Sequence, residues 1–219
     1  MNISDNLSKI KSQLPKEVTL VAVSKTKPVA DLMQAYEAGQ RIFGENKIQE
    51  MTEKWEQMPK DIQWHMIGHV QSNKVKYMAP YVALIHGVDS LKLLQEINKQ
   101  AQKNGRIIDC LLQIFIAEEE TKFGLDEHEL EALLHDETFK TLEHIRIVGL
   151  MGMATFTENQ EQIKREFLHL KSIFDKQKQL ETSNLKLETL SMGMSGDYRL
   201  AIACGSSMVR IGSSIFGMR

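Results

Sequence analysis

Lys25 stands at the end of a short apolar stretch, a position from which a lysine amine could do covalent chemistry. The stretch Thr19–Lys27 reads TLVAVSKTK, and its β-branched and small apolar residues predict a buried strand that delivers Lys25 at its end. An ammonium group is costly to remove from water unless it has a partner or a covalent use. One interpretation is a lysine that only reaches solvent where the strand stops. The other is an amine that captures an aldehyde as a Schiff base.

Serine and glycine cluster in two segments near the C-terminus, SMGMSGD at 191–197 and RIGSS at 210–214. Glycines let the backbone approach a ligand closely, and the hydroxyl groups of Ser195, Ser213 and Ser214 can donate hydrogen bonds. The helix that opens at Ser195–Asp197 also presents unpaired amides, which attract anions. Taken alone, each serine is better explained as a turn residue or a helix cap. Two such segments at one end of the fold predict a phosphate site.

The elements that must position these residues alternate along the chain. Eight β-rich runs, all but the last followed by a helical pattern, are Val18–Lys25, Arg41–Asn46, Ile62–Gly68, Val82–Ser90, Arg106–Ile116, Ile145–Met153, Leu185–Met194 and Met208–Gly217. Apolar residues recur at helical spacing between them, in Val29–Gly39, Lys47–Met58, Val70–Met78, Leu91–Asn104, Asp126–His135, Asn159–Leu180 and Gly196–Cys204. This alternation favours parallel βαβ units. Eight units fit an α/β fold closed as a (β/α)8 TIM barrel better than an open doubly wound sheet.

An extra N-terminal helix completes the predicted barrel. The final strand ends close to the C-terminus and leaves almost no eighth outer helix, and an amphipathic segment at about Asp5–Leu14 could cover that gap. Asp126 is a plausible helix start and Gly39 a plausible helix stop. We expect residues 1–219 to form a single domain.

A barrel would bring the candidate residues together at its mouth, the end where the C-termini of the strands meet. Lys25 follows the first strand, whereas Ser195 and the Gly212-Ser213 turn follow the seventh and eighth, where barrels commonly hold a phosphate. A phosphate site across the mouth from a lysine indicates a phosphorylated aldehyde. Pyridoxal 5'-phosphate (PLP) has both features, and a phosphosugar bound by a Schiff-base aldolase would also fit.

Six segments resemble the signature blocks of the YggS/PROSC family of pyridoxal-phosphate homeostasis proteins. In chain order they are AVSKTKP, FGENKIQE, WHMIGHVQSNK, GLMGMA, LSMGMSGD and VRIGSSIFG. The resemblance implies a single barrel of the alanine-racemase N-terminal-domain type, spanning 1–219, that binds PLP as an internal aldimine. It also implies a role in intracellular PLP homeostasis, by buffering and delivering the cofactor without catalytic turnover.

The same resemblance assigns roles to individual residues. Lys25 would form the aldimine, Arg210 would face the pyridine nitrogen, and Asn46 would lie near the edge of the ring. A guanidinium group can only donate, so Arg210 would keep that nitrogen unprotonated and the ring a poorer electron sink. Lys47 departs from the family, which often has an aromatic residue there. The full set of residues implied to bind the cofactor is Lys25, Asn46, Ser195, Arg210, Gly212 and Ser213.

The alternative function is a small fold-type III PLP enzyme, such as an amino-acid racemase. Racemisation needs an acid/base group on each face of the α-carbon, and Lys25 serves only one. In enzymes of the alanine-racemase type, which the six segments also resemble in fold, the opposing tyrosine comes from a second domain of a partner subunit. This chain has no length for such a domain. An aldolase would need a second lysine or carboxylate beside Lys25. We therefore expect a monomer without turnover that hands PLP to PLP-dependent apo-enzymes.

Composition limits the other classes. The chain has 27 Lys+Arg against 29 Asp+Glu, a net charge of -2, which gives no reason to expect nucleic acid or an anionic membrane as partner. No apolar run approaches the roughly 20 residues of a membrane span, and the N-terminus has no signal-peptide core. Cys110 and Cys204 are expected to be buried free thiols, which favours the cytoplasm.

His65 and His69 are four residues apart, a spacing found in metal sites, but no third ligand stands nearby. We expect no metal. His65 lies within an apolar run and is expected to be a hydrogen-bonded core histidine, whereas His69 is expected to line the mouth.

Overall fold

The computed structural model describes residues 2–119 and 123–218, and in these ranges eight parallel strands form a closed barrel. The strands pair in sequence order, and β8 closes the barrel against β1. Their bounds are β1 Thr19–Val23, β2 Ile42–Glu45, β3 Gln63–Met66, β4 Leu84–Val88, β5 Ile108–Gln113, β6 Ile145–Met151, β7 Leu185–Ser191 and β8 Met208–Ile211. The predicted (β/α)8 TIM barrel is confirmed.

Helices surround the barrel. They are α1 Ile3–Gln13, α2 Val29–Glu37, α3 Ile48–Gln57, α4 Val75–Met78, α5 Leu91–Lys103, α6 Glu127–His135, α7 Glu137–Lys140, α8 Gln160–Gln177, α9 Tyr198–Ala203 and α10 Ser213–Phe216. A 3-10 turn at Ser72–Lys74 precedes α4, so the helix predicted at Val70–Met78 is broken into two short pieces. Helix α7 was not predicted; the side chain of Asp136 caps it by accepting a hydrogen bond from Thr138 N at 2.7 Å.

The N-terminal helix covers the gap beside the last strand, as predicted. Helix α10 has only four residues, and α1 packs against it. Asn6 Nδ2 donates to Ile215 O at 3.1 Å, which ties the two helices directly. Leu7 on α1 is fully buried. The N-terminal helix is therefore part of the layer that supports the loop after β8.

Most strands are shorter than the runs that predicted them. The first run extends to Lys25, but β1 ends at Val23; the seventh extends to Met194, but β7 ends at Ser191. The remaining residues leave the sheet and form turns at the mouth. An apolar run marks burial, not strand pairing, so it continues through turns that are packed inside the mouth.

The barrel interior holds an apolar cluster and a polar one. The apolar cluster is formed by Val21, Leu84, Leu111, Met151 and Met208. The interior also holds buried polar residues, among them His65, His86, Ser191 and Arg210, all at most 4% exposed. The larger core lies outside the barrel, between the strands and the helices.

Three further expectations concern membrane-spanning helices, the two cysteines and the residues at helix ends. Within the described ranges, none of the helices combines the length and the apolar character that crossing a membrane requires. Cys110 and Cys204 are buried and free, as predicted. Asp126 does begin a helix, where it forms a capping box with Glu129, and Gly39 ends α2 with φ of 86°.

Candidate functional site

Lys25 lies in a tight turn that follows β1. Ser24 is fully buried, Lys25 is half-buried, and Thr26 has a φ of 64°. Among the described residues, Thr26 is the one non-glycine residue with a positive φ, a conformation that costs about 1–3 kcal/mol. Glu50 on α3 compensates by accepting a hydrogen bond from Thr26 N at 2.6 Å. The turn that carries Lys25 is therefore held in a strained shape by a neighbouring helix.

A buried lysine completes this support. Lys54 Nζ donates to Ser24 O at 2.8 Å and to one carboxylate oxygen each of Glu45 and Glu50, both at 2.7 Å. The Ser24 hydroxyl donates to the same Glu45 oxygen at 2.6 Å. Lys54 is 5% exposed and Glu45 fully buried. This network joins the ends of β1 and β2 to α3.

Burial and the ammonium group act in opposite directions on the two carboxylates. Burial raises the pKa of Glu45, although the charge and hydrogen bond of Lys54 and the Ser24 hydroxyl oppose that effect. Burial would also raise the pKa of Glu50, but its bonds to Lys54 and Thr26 N bring that pKa below its usual value. The lowered pKa favours the ionised form of Glu50, which accepts the hydrogen bond from the turn.

The sequence did not predict this network. Glu50 and Lys54 have the i, i+4 spacing of an ion pair, which is most often found on exposed helix faces. The signal was present as spacing, but nothing in the sequence indicated that this pair faces the barrel.

The loops after β7 and β8 meet directly. Gly212 N donates to Ser195 Oγ at 3.2 Å. The loop after β7 is shaped by Asp197, whose carboxylate accepts a hydrogen bond from Met194 N at 2.6 Å. A Cβ atom on Gly212 would lie 3.0 Å from Val23 O, so this loop lies tightly against the end of β1. Contacts thus run from Ser195 through Gly212 to the turn that carries Lys25.

These two loops expose backbone donors. The described hydrogen bonds leave the amides of Gly196, Ser213 and Ser214 unused. No described atom lies within 4 Å of the position that a Cβ on Gly196 would take, so its backbone is open. Ser213 is exposed and Ser195 half-buried. The predicted phosphate residues therefore lie on two adjoining loops that carry unused amides and hydroxyl groups, and we call these two loops the cradle.

Arg210 lies inside the barrel on β8. One guanidinium nitrogen, Nη1, donates to Ser191 Oγ at 2.7 Å and to Ser191 O at 3.0 Å, and Nη2 donates to Gly152 O at 3.2 Å. Burial lowers its pKa to about 10, while the charge of Asp197 acts in the opposite direction. The group stays protonated at neutral pH. Of the described carboxylates, none lies within ion-pair distance, so Arg210 is a buried cation bonded only to neutral oxygens.

Asn46 is half-buried in the turn after β2. A Cβ on Gly68 would lie 2.4 Å from Asn46 O, so the turns after β2 and β3 cross at a distance that only glycine permits. Lys47, which follows Asn46, is exposed. The position that departs from the family pattern thus faces solvent.

The two histidines that the sequence analysis considered together lie apart. His65 is buried in the barrel and its Nδ1 lies 3.0 Å from His86 Nε2, as expected of a hydrogen-bonded core histidine. His69 is exposed at the mouth, where its ring meets the edge of Phe123 at 5.2 Å between centroids. In residues 2–119 and 123–218, no group of three His, Cys, Asp or Glu side chains has the geometry to hold a metal ion.

A cleft of about 500 Å³ lies between α1 and the loop after β7. Its walls include Lys9, Gln13, Ser195, Asp197 and Ser214. Two of the serines of the cradle therefore also border open space on the side of the N-terminal helix.

Comparison with known proteins agrees with the barrel fold. The family model of the alanine racemase N-terminal domain matches residues 1–219. The pyridoxal phosphate homeostasis protein of Haemophilus influenzae is 38% identical over 232 residues, which cover 100% of this chain and 97% of that protein. The structure of PipY from Synechococcus elongatus PCC7942 with PLP bound has a TM-score of 0.88 and 35% identity, and the match covers 98% of this chain and 100% of that one.

A more distant structure shares the fold alone. The alanine racemase of Clostridium difficile 630 matches with a TM-score of 0.77 at 17% identity, and the match covers all of this chain but 57% of that one. The full-length matches to the first two proteins are much stronger, and they bear out the resemblance of the six sequence blocks. The chain therefore belongs to the alanine racemase N-terminal domain family and, within it, to the pyridoxal phosphate homeostasis proteins.

Proposed function

We propose that this protein binds PLP at the barrel mouth and acts in intracellular PLP homeostasis, storing the cofactor and passing it on. Lys25 would be the covalent attachment point, and Ser195, Gly212 and Ser213 would hold the phosphate. Arg210 would face the pyridine nitrogen, and Asn46 would lie near the edge of the ring. The PLP-bound structure of PipY, a relative at 35% identity over nearly the whole chain, supports the choice of cofactor.

The observation that carries the proposal is the contact path from the phosphate cradle to the lysine. Ser195 is bonded to Gly212, and Gly212 lies so close to Val23 that a side chain would fill the space. Lys25 is two residues further along. A ligand that reaches both the cradle and Lys25 must carry a phosphate and an electrophile, and PLP fits because its aldehyde and phosphate are on one small ring.

The buried guanidinium fits the same ligand. PLP supplies an aldehyde that bonds reversibly to amines and a ring that can accept electrons. Arg210 has N–H groups beyond those bonded to Ser191 and Gly152, and it can only donate them. A neutral ring nitrogen that accepts from Arg210 stays unprotonated, which makes the ring a weak electron sink. This arrangement suits a protein that holds the cofactor without turning over a substrate.

For the second candidate, an amino-acid racemase, none of the four described tyrosines is an evident second base. Racemisation requires a proton donor opposite the lysine. Three of the four tyrosine hydroxyl groups are already bonded to side chains, Tyr36 to Asp61, Tyr81 to Thr52 and Tyr198 to Gln13. The fourth, Tyr77, lies on α4 and is 55% exposed. We infer a non-enzymatic role.

The partners follow from this role. We infer that PLP-dependent apo-enzymes are the recipients of the cofactor. We also infer that residues 1–219 act as one PLP-binding domain, as a monomer, in the cytoplasm. No nucleic-acid or membrane partner is part of the proposal.

The absorption spectrum of the purified protein tests the function. We expect a visible band from bound PLP that is absent in Lys25→Ala and retained in Lys47→Ala, a matched change of an exposed lysine that also follows a strand. Incubation with L-alanine and other L-amino acids should yield no D-form at an enzymatic rate. An unchanged band in Lys25→Ala would refute the attachment site, and rapid racemisation would refute the non-enzymatic role.

A further inference from the structure

Four buried polar side chains form a line across the barrel interior. They are His65 on β3, His86 on β4, Ser191 at the end of β7 and Arg210 on β8. Strands β4 and β7 are not neighbours in the barrel, so the contact between Ser191 and His86 spans the interior. Buried polar side chains are normally hydrogen-bonded, and most of their bonds go to backbone groups or water rather than to other side chains. A polar line across the interior of a barrel is therefore a feature to explain.

Hydrogen bonds link the four side chains in sequence. Arg210 Nη1 lies 2.7 Å from Ser191 Oγ, and Ser191 Oγ lies 3.2 Å from His86 Nδ1. His86 Nε2 lies 3.0 Å from His65 Nδ1, with the two ring planes inclined at 50°.

The direction of these bonds follows from the arginine. A guanidinium group has no acceptor, so Ser191 Oγ must accept from Arg210. The serine proton then points elsewhere, and His86 Nδ1 is its one acceptor among the described residues. Because His86 Nδ1 accepts, a neutral His86 must carry its proton on Nε2 and donate it to His65 Nδ1.

Both histidines are neutral in this arrangement. Burial lowers the pKa of His65 to about 3. Burial, with the neighbouring His65 and Arg210, lowers the pKa of His86 well below its usual value. Neither ring can therefore donate from both nitrogens at neutral pH, and a single pattern of protons satisfies the whole line.

We propose that Ser191 and His86 are positioning residues that fix the orientation of Arg210 toward the ring nitrogen of PLP, with both His86 and His65 in the Nε2–H form. His86 draws the Ser191 proton away from the guanidinium and so keeps a serine lone pair aimed at Nη1. The carbonyl oxygens of Ser191 and Gly152 accept hydrogen bonds from Nη1 and Nη2 of Arg210. The remaining N–H donors of the guanidinium group therefore point in a fixed direction. The proposal deepens the proposed function and rests on it.

The tautomers are tested first, on wild-type protein without cofactor. Nitrogen NMR of isotope-labelled histidine distinguishes a protonated from an unprotonated imidazole nitrogen. At neutral pH we expect both His65 and His86 to be protonated at Nε2 and unprotonated at Nδ1. A proton on Nδ1 of either ring would overturn the proposed direction. This result does not depend on whether the protein binds PLP.

Positioning is tested with PLP and three variants. His86→Leu and Ser191→Ala should each weaken PLP binding roughly tenfold, the effect of losing one well-formed hydrogen bond. The nitrogen signal of the PLP ring, isotope-labelled and bound, should also move in both. His86→Asn keeps an acceptor near the position of Nδ1 and should restore much of the affinity and the ring signal. A purely structural role would lower stability in the variants without moving the ring signal.

The outcomes separate the two proposals. If wild-type protein binds PLP but folded His86→Leu and Ser191→Ala bind it as well as wild type, with an unchanged ring signal, the positioning role is wrong and the proposed function stands. Ser191→Ala keeps the histidine pair, so it decides the matter if His86→Leu fails to fold. If wild-type protein does not bind PLP, the proposed function fails, and the positioning role fails with it.

Discussion

At the scale of single residues, the turn around Lys25 depends on side chains that lie behind it. Thr26 adopts a φ of 64°, and Glu50 holds that conformation through a 2.6 Å bond to Thr26 N. Lys54 in turn holds Glu50 and the carbonyl of Ser24. These contacts fix the backbone on both sides of Lys25, which suits the covalent attachment that we propose for its amine.

We predict that Glu50→Gln loosens this turn. A neutral amide weakens the bonds to Lys54 and Thr26 N, and the loss of one charge-assisted hydrogen bond costs about 2 kcal/mol. Urea denaturation should show that loss, and PLP binding should weaken with it. Glu53→Gln, a change of an exposed residue on the same helix, should alter stability by less than about 0.5 kcal/mol. Equal stability of the two variants would contradict the role of Glu50.

Ser195 is predicted to bind phosphate. Ser195→Ala should weaken PLP binding about 10- to 100-fold, because a hydrogen bond to a charged group contributes roughly 1.5–3 kcal/mol. The barrel should stay folded, since the hydroxyl accepts a single described bond, from Gly212 N. Titration of PLP against Ser195→Ala and against Ser172→Ala, an exposed serine on α8, measures the difference. Similar affinities would place the phosphate elsewhere.

At the scale of elements, the turns that form the site are held in place by three contacts between elements. Helix α3 supports the turn after β1, the loop after β7 is bonded to the loop after β8, and α1 packs on α10. The strands themselves contribute mainly Arg210. Element order and the two serine-glycine loops could be predicted from the sequence because glycine, serine and apolar periodicity are local signals. The support by α3 could not, because it depends on which helix face meets the barrel.

Helix α1 is predicted to stabilise the cradle through its buried face. Leu7 is fully buried, so Leu7→Ala should lower the free energy of unfolding by about 2–5 kcal/mol. PLP binding should weaken too, because α10 begins at Ser213, which we propose as a phosphate ligand. Ser8→Ala, at an exposed position of the same helix, is the control. If thermal melting and PLP affinity were the same in both variants, α1 would not be part of the support.

At the scale of the whole molecule, the buried histidines should make the fold sensitive to acid. His65 has its pKa lowered to about 3, so the folded protein does not take up a proton there between pH 6.5 and about 3, whereas the unfolded chain does. Stability contributed by such a group is present above the unfolded pKa and is lost as pH falls below it. His86 acts in the same direction.

The expected size of this effect is measurable. Proton uptake by His65 in the unfolded chain should lower the free energy of unfolding by about 2 kcal/mol between neutral pH and roughly pH 5, and His86 should add to that loss. In His65→Gln, the free energy of unfolding should change less with pH over that range than in wild type, whatever the stability of the variant at higher pH. Urea denaturation at a series of pH values gives both profiles. Parallel profiles would mean that His65 is not held neutral in the folded protein.

The hydrogen-bond partners of the buried histidines could not be predicted from the sequence. His65 and His86 each interrupt an apolar run, which predicts burial and a hydrogen-bond partner but not its identity. Ser191 and His86 are 105 positions apart and come from strands on different sides of the barrel. Closure of the barrel creates that contact, so only the structure could reveal it. The position of Lys25 just after a buried strand, by contrast, could be predicted, because that position is a local property.

The most direct test of the account is to locate the covalent attachment of PLP. Protein loaded with PLP is reduced with borohydride, which makes the link between the cofactor and its lysine permanent, and the labelled peptide is then found by mass spectrometry. The account predicts one major label, on Lys25, and its loss in Lys25→Ala. A label on another lysine, or no label on folded protein exposed to PLP, would contradict the account.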